Sequence, residues 1–325
     1  MTSRAVPDEP RLKPVRHPWH FSAAWLNART LSWAAGLSIA LLFFGLWYML
    51  RAKPLPRRRV DFPAPPQLTS QISNAQDRLK ANPQDISALV ELGTLLFEKG
   101  KDSYVDAIND LEEARELGAL DPRVFYCLGI MYQEEGLYPF ALTEYQRFLR
   151  HYPEDKEIRM LAAKLYYRMG LFPEAVGEFE RLKYMNPTDP LIEENLGLSL
   201  WGAKLMDRAR GSFDQLKTYG GEFGRRADLY KGQIALEDGK FQEAADDFAQ
   251  VGIAQKPLSD GGGTEVIPAE RVYTGLGMAM QKLNRWDEAK AAWEEVLKAN
   301  PKDPKAQSAL REVNRRLAAS KKAKK

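Results

Sequence analysis

The chain has little of what chemistry usually needs. It carries one cysteine, Cys127, and three histidines, His17, His20 and His151. A single thiol excludes an intrachain disulfide and fits a reducing compartment. His17 and His20 have no partner at metal-ligand spacing. His151 stands near Pro153 at the end of an amphipathic stretch, where it helps to finish a helix. Cys127 lies in an apolar segment without a histidine partner, so a buried thiol is expected rather than a nucleophile. The triple glycine 261–263 lacks the Lys-Ser/Thr of a phosphate-binding loop. The acid pairs Glu112-Glu113, Glu134-Glu135 and Asp246-Asp247 are neighbours in sequence, and helical neighbours diverge by about 100°, so they form no acid/base pair. No catalytic residues, metal or cofactor are expected, and the chain reads as a non-enzyme.

Charge of one sign is scarce at the ends. Residues 1–60 hold ten Lys and Arg against two acids, and residues 311–325 hold seven against one. Residues 61–310 hold thirty against forty-one, so an acidic middle lies between basic ends. An acidic surface keeps such a segment soluble, or favours a basic partner segment.

Only one long hydrophobic run occurs. Leu31 to Leu50 contains no charged residue and matches the length of a membrane-crossing helix. Trp25 and Trp33 at one end, and Trp47 and Tyr48 at the other, suit the two interfaces. A cleaved signal peptide would have a shorter apolar core followed by a small-residue cleavage site, whereas Arg51, Lys53 and Arg57–Arg59 follow here. The expectation is a single-pass anchor over 31–50 after a basic tail (1–30), with lipid contact also open to the Arg57–Arg59 triplet. The juxtamembrane positive charge favours a cytoplasmic repeat domain in a bacterial inner membrane, with a periplasmic one as the alternative. A Pro-rich basic linker (51–66) and a capping helix (67–82) come next.

From there the chain repeats itself. In the stretch from Asp121 to Asp155, Gly129 and Ala141 leave room for two antiparallel helices, and Leu128, Tyr132, Tyr145 and Phe148 fill the space beside that contact. Gly136 suits the turn, and Pro153 ends the second helix. Ala107, Ala141, Ala175, Ala209, Ala244 and Ala289 recur at steps of 34, 34, 34, 35 and 45. Each precedes by four residues a large one: Leu111, Tyr145, Phe179, Phe213, Phe248 or Trp293. Gly93, Gly129, Ala163, Gly197, Gly232 and Gly277 hold the small position of the first helix, and Gly100, Gly136, Gly170, Lys204, Gly239 and Asn284 the turn. The long last step contains a flexible insertion, 257–268. The fold class is therefore all-α: six helix–turn–helix units over 83–303, at 86–121, 122–155, 156–189, 190–224, 225–258 and 270–303. A C-capping helix and basic tail (304–325) close the array.

This period and composition resemble the tetratricopeptide repeat (TPR), whose units stack into a superhelical solenoid. The resemblance departs from the family at the first turn, which is about two residues long, and at Lys204. It implies a concave face lined by first helices that binds protein or peptide segments. On the family's pattern the groove residues are Tyr126, Ile130, Gln133 and Glu134 in the second unit, and Met160, Lys164, Tyr167 and Arg168 in the third. The fourth supplies Glu194, Leu198, Trp201 and Gly202, and the fifth Leu229, Gln233, Leu236 and Glu237. The family's carboxylate clamp is not expected, because Val90, Thr94 and Cys127 replace its Lys and Asn. With the uncharged run 31–50 and the acidic middle, the resemblance leads to the expectation of a membrane-anchored TPR scaffold or adaptor that assembles a membrane-associated complex around a basic or apolar segment, without nucleic acid. Two alternatives stay open: an extracytoplasmic (periplasmic) chaperone or assembly factor, and a constitutive accessory subunit of a membrane enzyme or motor.

Overall fold

A computed structural model describes residues 66–253 and 267–323. The expected tail, membrane span and linker to residue 65, and residues 254–266, which include all but the last two of the expected insertion 257–268, lie outside the described residues. Among the described residues no helix is long and apolar enough to cross a membrane, and there are fourteen α-helices and no strand. A capping helix, α1 (Pro66–Ala81), opens the series. Six pairs follow: α2 (Ile86–Lys99) and α3 (Tyr104–Glu116), α4 (Pro122–Glu134) and α5 (Tyr138–His151), α6 (Lys156–Arg168) and α7 (Phe172–Met185). The last three pairs are α8 (Pro190–Gly202) and α9 (Met206–Lys217), α10 (Gly221–Glu237) and α11 (Phe241–Ile253), α12 (Ala269–Lys282) and α13 (Trp286–Ala299). The closing cap is α14 (Pro304–Ala323).

The helix starts follow from local chemistry. Asp85, Asp121, Asp155 and Asp189 each accept a backbone N–H at the start of a first helix, satisfying a donor that the helix cannot. Asp303 does the same for α14. Helix α10 has no such cap: Tyr219-Gly220-Gly221 replaces the Asp, and the helix starts one turn before the expected boundary at 225. The long first turn is taken up by a 3₁₀ segment, Lys101–Ser103.

The turns within pairs reverse the chain through a left-handed residue. Gly136, Gly170 and Gly239 take φ of 77°, 74° and 72° there, and Lys204 and Asn284 take 62° and 58°. Only glycine adopts this conformation freely, and a side chain such as that of Lys204 costs about 1 kcal/mol.

The small-to-large pattern is the packing rule. A Cβ on Gly93 would meet Leu111 at 2.5 Å, on Gly129 Tyr145 at 2.5 Å, on Gly197 Phe213 at 2.6 Å and on Gly277 Trp293 at 2.8 Å. Each large side chain lies over the small residue of its own pair, and all are buried. Repeat five joins two core clusters. Its Ala227, Tyr230 and Ile234 pack with Phe179 and Phe213, while its Leu229, Ala244 and Phe248 pack with Val272, Trp293 and Val313.

Ion pairs latch one repeat to the next. Arg115 reaches buried Glu144 at 3.0 Å, Lys183 reaches buried Glu193 at 2.7 Å, and Lys217 reaches buried Asp228 at 2.6 Å. Near the last pair, Asp247 on α11 has a buried carboxylate oxygen without a partner. Burial, against the pull of Lys231 and with help from Asp228 and Glu243, pushes its carboxyl from 3.8 up to about 6. A carboxyl raised on folding stabilises below its unfolded value and loses that contribution as pH rises through about 6. Asp247→Asn is therefore expected to stabilise the fold above pH 6, by about 1 kcal/mol once solvent screening is discounted. Urea unfolding at pH 4 and pH 7.5 checks this, and an equal effect at both would refute it.

Candidate functional site

First helices touch across the stack, α2 with α4, α8 with α10 and α10 with α12, so one face of the array is built from them. In such stacks this is the concave face. The third and fourth repeats carry several of its accessible side chains. Lys164 and Arg168 are exposed, and Tyr167 is 37% exposed with its ring edge-on to Phe172 at 5.5 Å. Arg168 donates to the Tyr138 hydroxyl at 3.2 Å and lies over its ring. Met160, Leu198 and Trp201 are half-buried against the core beneath. The Trp201 indole N–H donates to Glu237 at 3.2 Å, which fixes the ring across two repeats. Ile130 is half-buried on α4.

Two expected groove residues are corrected. Tyr126 is 6% exposed, edge-on to Phe97 at 6.3 Å and tilted against Phe148 at 6.1 Å. Leu229 is 2% exposed and belongs to the core that joins repeats five and six. Glu194 is also buried: it accepts from the Tyr230 hydroxyl at 2.9 Å and pairs with Arg226 at 3.2 Å. The family spacing places these positions on the first-helix face, but contact between adjacent first helices seals them. Repeat one is sealed as well, since Val90, Thr94 and Phe97 of α2 are buried.

The same rule applied to repeat six would have found more. Helix α12 places Arg271, Thr274, Met278 and Lys282 at helical spacing along one stripe. Thr274 and Met278 line a cavity of about 460 Å³ with Gln233, Leu236, Gly275, Arg271 and the acidic Glu270. Arg271 donates to Gln233 at 3.0 Å, and Met278 is 46% exposed. The signal in the sequence is Gly275, where a Cβ would stand 2.4 Å from Phe248. The glycine lets α12 approach that ring.

Cys127 is fully buried, and burial pushes its thiol up, away from the reactive thiolate. The His151 ring stacks on Phe125 at 5.8 Å. Among the described residues no cluster of His, Cys, Asp and Glu could hold a metal ion.

Paired helices stacked on small-to-large contacts, with one face built from first helices, define a helical-repeat interaction scaffold. The chain belongs to the tetratricopeptide repeat family: tetratricopeptide repeat profiles match residues 128–190, 194–260 and 270–303, just over half of the chain. No curated protein matches it. It is similar in fold to the C-terminal part of a TPR repeat-containing protein from Cytophaga hutchinsonii, with 17% identity and TM-score 0.57, over 75% of this chain and 95% of that one. It is also similar to a chain in the structure of Naa15/Naa10 bound to HypK-THB, with 18% identity and TM-score 0.53, over 76% of this chain. It spans only 37% of that chain's length. These similarities concern the fold.

Proposed function

We propose that this chain is a membrane-anchored TPR scaffold that holds a protein segment on its first-helix face and so assembles a complex at a membrane. TPR domains generally bind protein or peptide partners, and the array carries such repeats. One observation supports the position of the groove. Tyr167, Lys164 and Arg168 stand exposed beside the half-buried Met160, Leu198 and Trp201, so apolar surface and fixed charge adjoin on neighbouring repeats. Tyrosine, tryptophan and arginine are the residues that most often anchor binding. Anchoring by residues 31–50 rests on that uncharged run alone. The activity is binding without a catalytic step.

Crosslinking in intact cells and affinity capture with the full-length chain test the groove. Tyr167→Ala with Trp201→Ala is expected to reduce recovery of the captured partner by tenfold or more, on the order of 2 kcal/mol or more for a pair of anchors. Unchanged recovery would show that the partner docks elsewhere.

A further inference from the structure

We infer that the segment held on the first-helix face is acidic: carboxylates flanking apolar side chains, with one acidic end at repeat three and the other at repeat six. The inference rests on the groove reading above and names the partner's chemistry. It starts from a difference between the two faces. Arg150 apart, every Lys and Arg on the second helices of the repeats lies within ion-pair distance of a carboxylate. Among the described residues, four cations of the first-helix face have no carboxylate within that distance: Lys164 and Arg168 on α6, and Arg271 and Lys282 on α12. Among the described residues Arg168 meets the Tyr138 hydroxyl and ring, and Arg271 meets Gln233 and the Tyr230 ring.

The carboxylates of the same face are already engaged or locally held. Glu194 is buried with Arg226 and Tyr230, Glu237 takes Trp201 and Lys204, and Glu134 has its own partner. Glu157 and Glu270 occupy the first turns of α6 and α12, where the helix dipole stabilises a negative charge. Glu270 also lines the cavity beside Arg271, so among the described residues the four cations outnumber two unpaired carboxylates on this face and leave it net positive towards a ligand.

Between the two cation pairs lie the apolar Leu198, Trp201, Leu236 and Met278, interspersed with Gln233, Glu237 and Thr274. A cavity of about 460 Å³ accommodates a large apolar side chain. The acidic charge elsewhere on the array does not cancel the attraction, because it is screened within about 8 Å at physiological salt. This reverses the preference for a basic segment that the overall charge suggests.

A library of randomised peptides displayed on phage and selected on the full-length chain tests the inference. Selected peptides are expected to carry Asp and Glu around Leu, Met or Phe. Lys164→Glu with Arg168→Glu, and Arg271→Glu with Lys282→Glu, are each expected to weaken binding of those peptides about tenfold. Both variants should melt like the parent, since these side chains are exposed. Peptides rich in Lys and Arg, or acidic peptides indifferent to both reversals, overturn the inference. If such peptides are still lost with Tyr167→Ala and Trp201→Ala, the groove reading survives without it. Peptides indifferent to that variant too, or a selection that yields none, overturn both.

Discussion

Gly129→Leu is expected to lower the stability of the array by about 3 kcal/mol, and even Gly129→Ala to lower it by about 1 kcal/mol. Alanine at a helix interior normally stabilises by about 1 kcal/mol over glycine, so the expected sign is opposite to the helix preference. The reason is the Tyr145 ring, which would lie 2.5 and 2.6 Å from the new Cβ. That ring is fully buried, and its hydroxyl donates to Gln133 at 3.1 Å. It is held at both ends and cannot swing aside. Gly177→Ala is the control, because a Cβ there meets nothing within 4 Å. It should stabilise by about 0.5–1 kcal/mol. Urea unfolding followed by circular dichroism measures all three. Shifts of the same sign for Gly129→Ala and Gly177→Ala would mean that Tyr145 yields.

Phe248→Ala is expected to cost about 3–4 kcal/mol and to divide the unfolding in two. Phe248 is fully buried and touches the small residues of two repeats: a Cβ on Gly232 of its own pair would stand 3.0 Å from its ring, and one on Gly275 of the next pair 2.4 Å. The ring is a wedge shared by repeats five and six. Stability in repeat arrays is approximately a sum of repeat and interface contributions, so losing one interface uncouples what lies beyond it. Hydrogen exchange should show α12–α14 opening at lower free energy while α6–α8 keep their protection. A uniform loss across the array would contradict that picture.

The repeat was legible because its rule is local. Gly129 and Tyr145, or Gly277 and Trp293, lie a fixed distance apart in sequence and meet within one pair. The groove was less legible because it depends on how pairs stack. Tyr126 and Leu229 occupy the same sequence offset as Met160, yet first-helix contacts bury the former two and leave Met160 half-buried. No residue pattern within a single repeat encodes that difference. The early start of α10 had a sign in Gly220-Gly221, where an Asp cap was missing. The latch of Lys183 on Glu193 had none, since the two residues belong to different repeats.

The sealed face of repeat one, where Val90, Thr94 and Phe97 are buried, has a consequence for what can enter. Burial of these side chains shortens the part of the face that can grip a guest. A guest would gain no side-chain grip from Val90, Thr94 or Phe97, whichever way it lies along the remaining repeats. Extending a guest over repeat one should therefore leave its affinity unchanged, whereas shortening it within repeats three to six should weaken it.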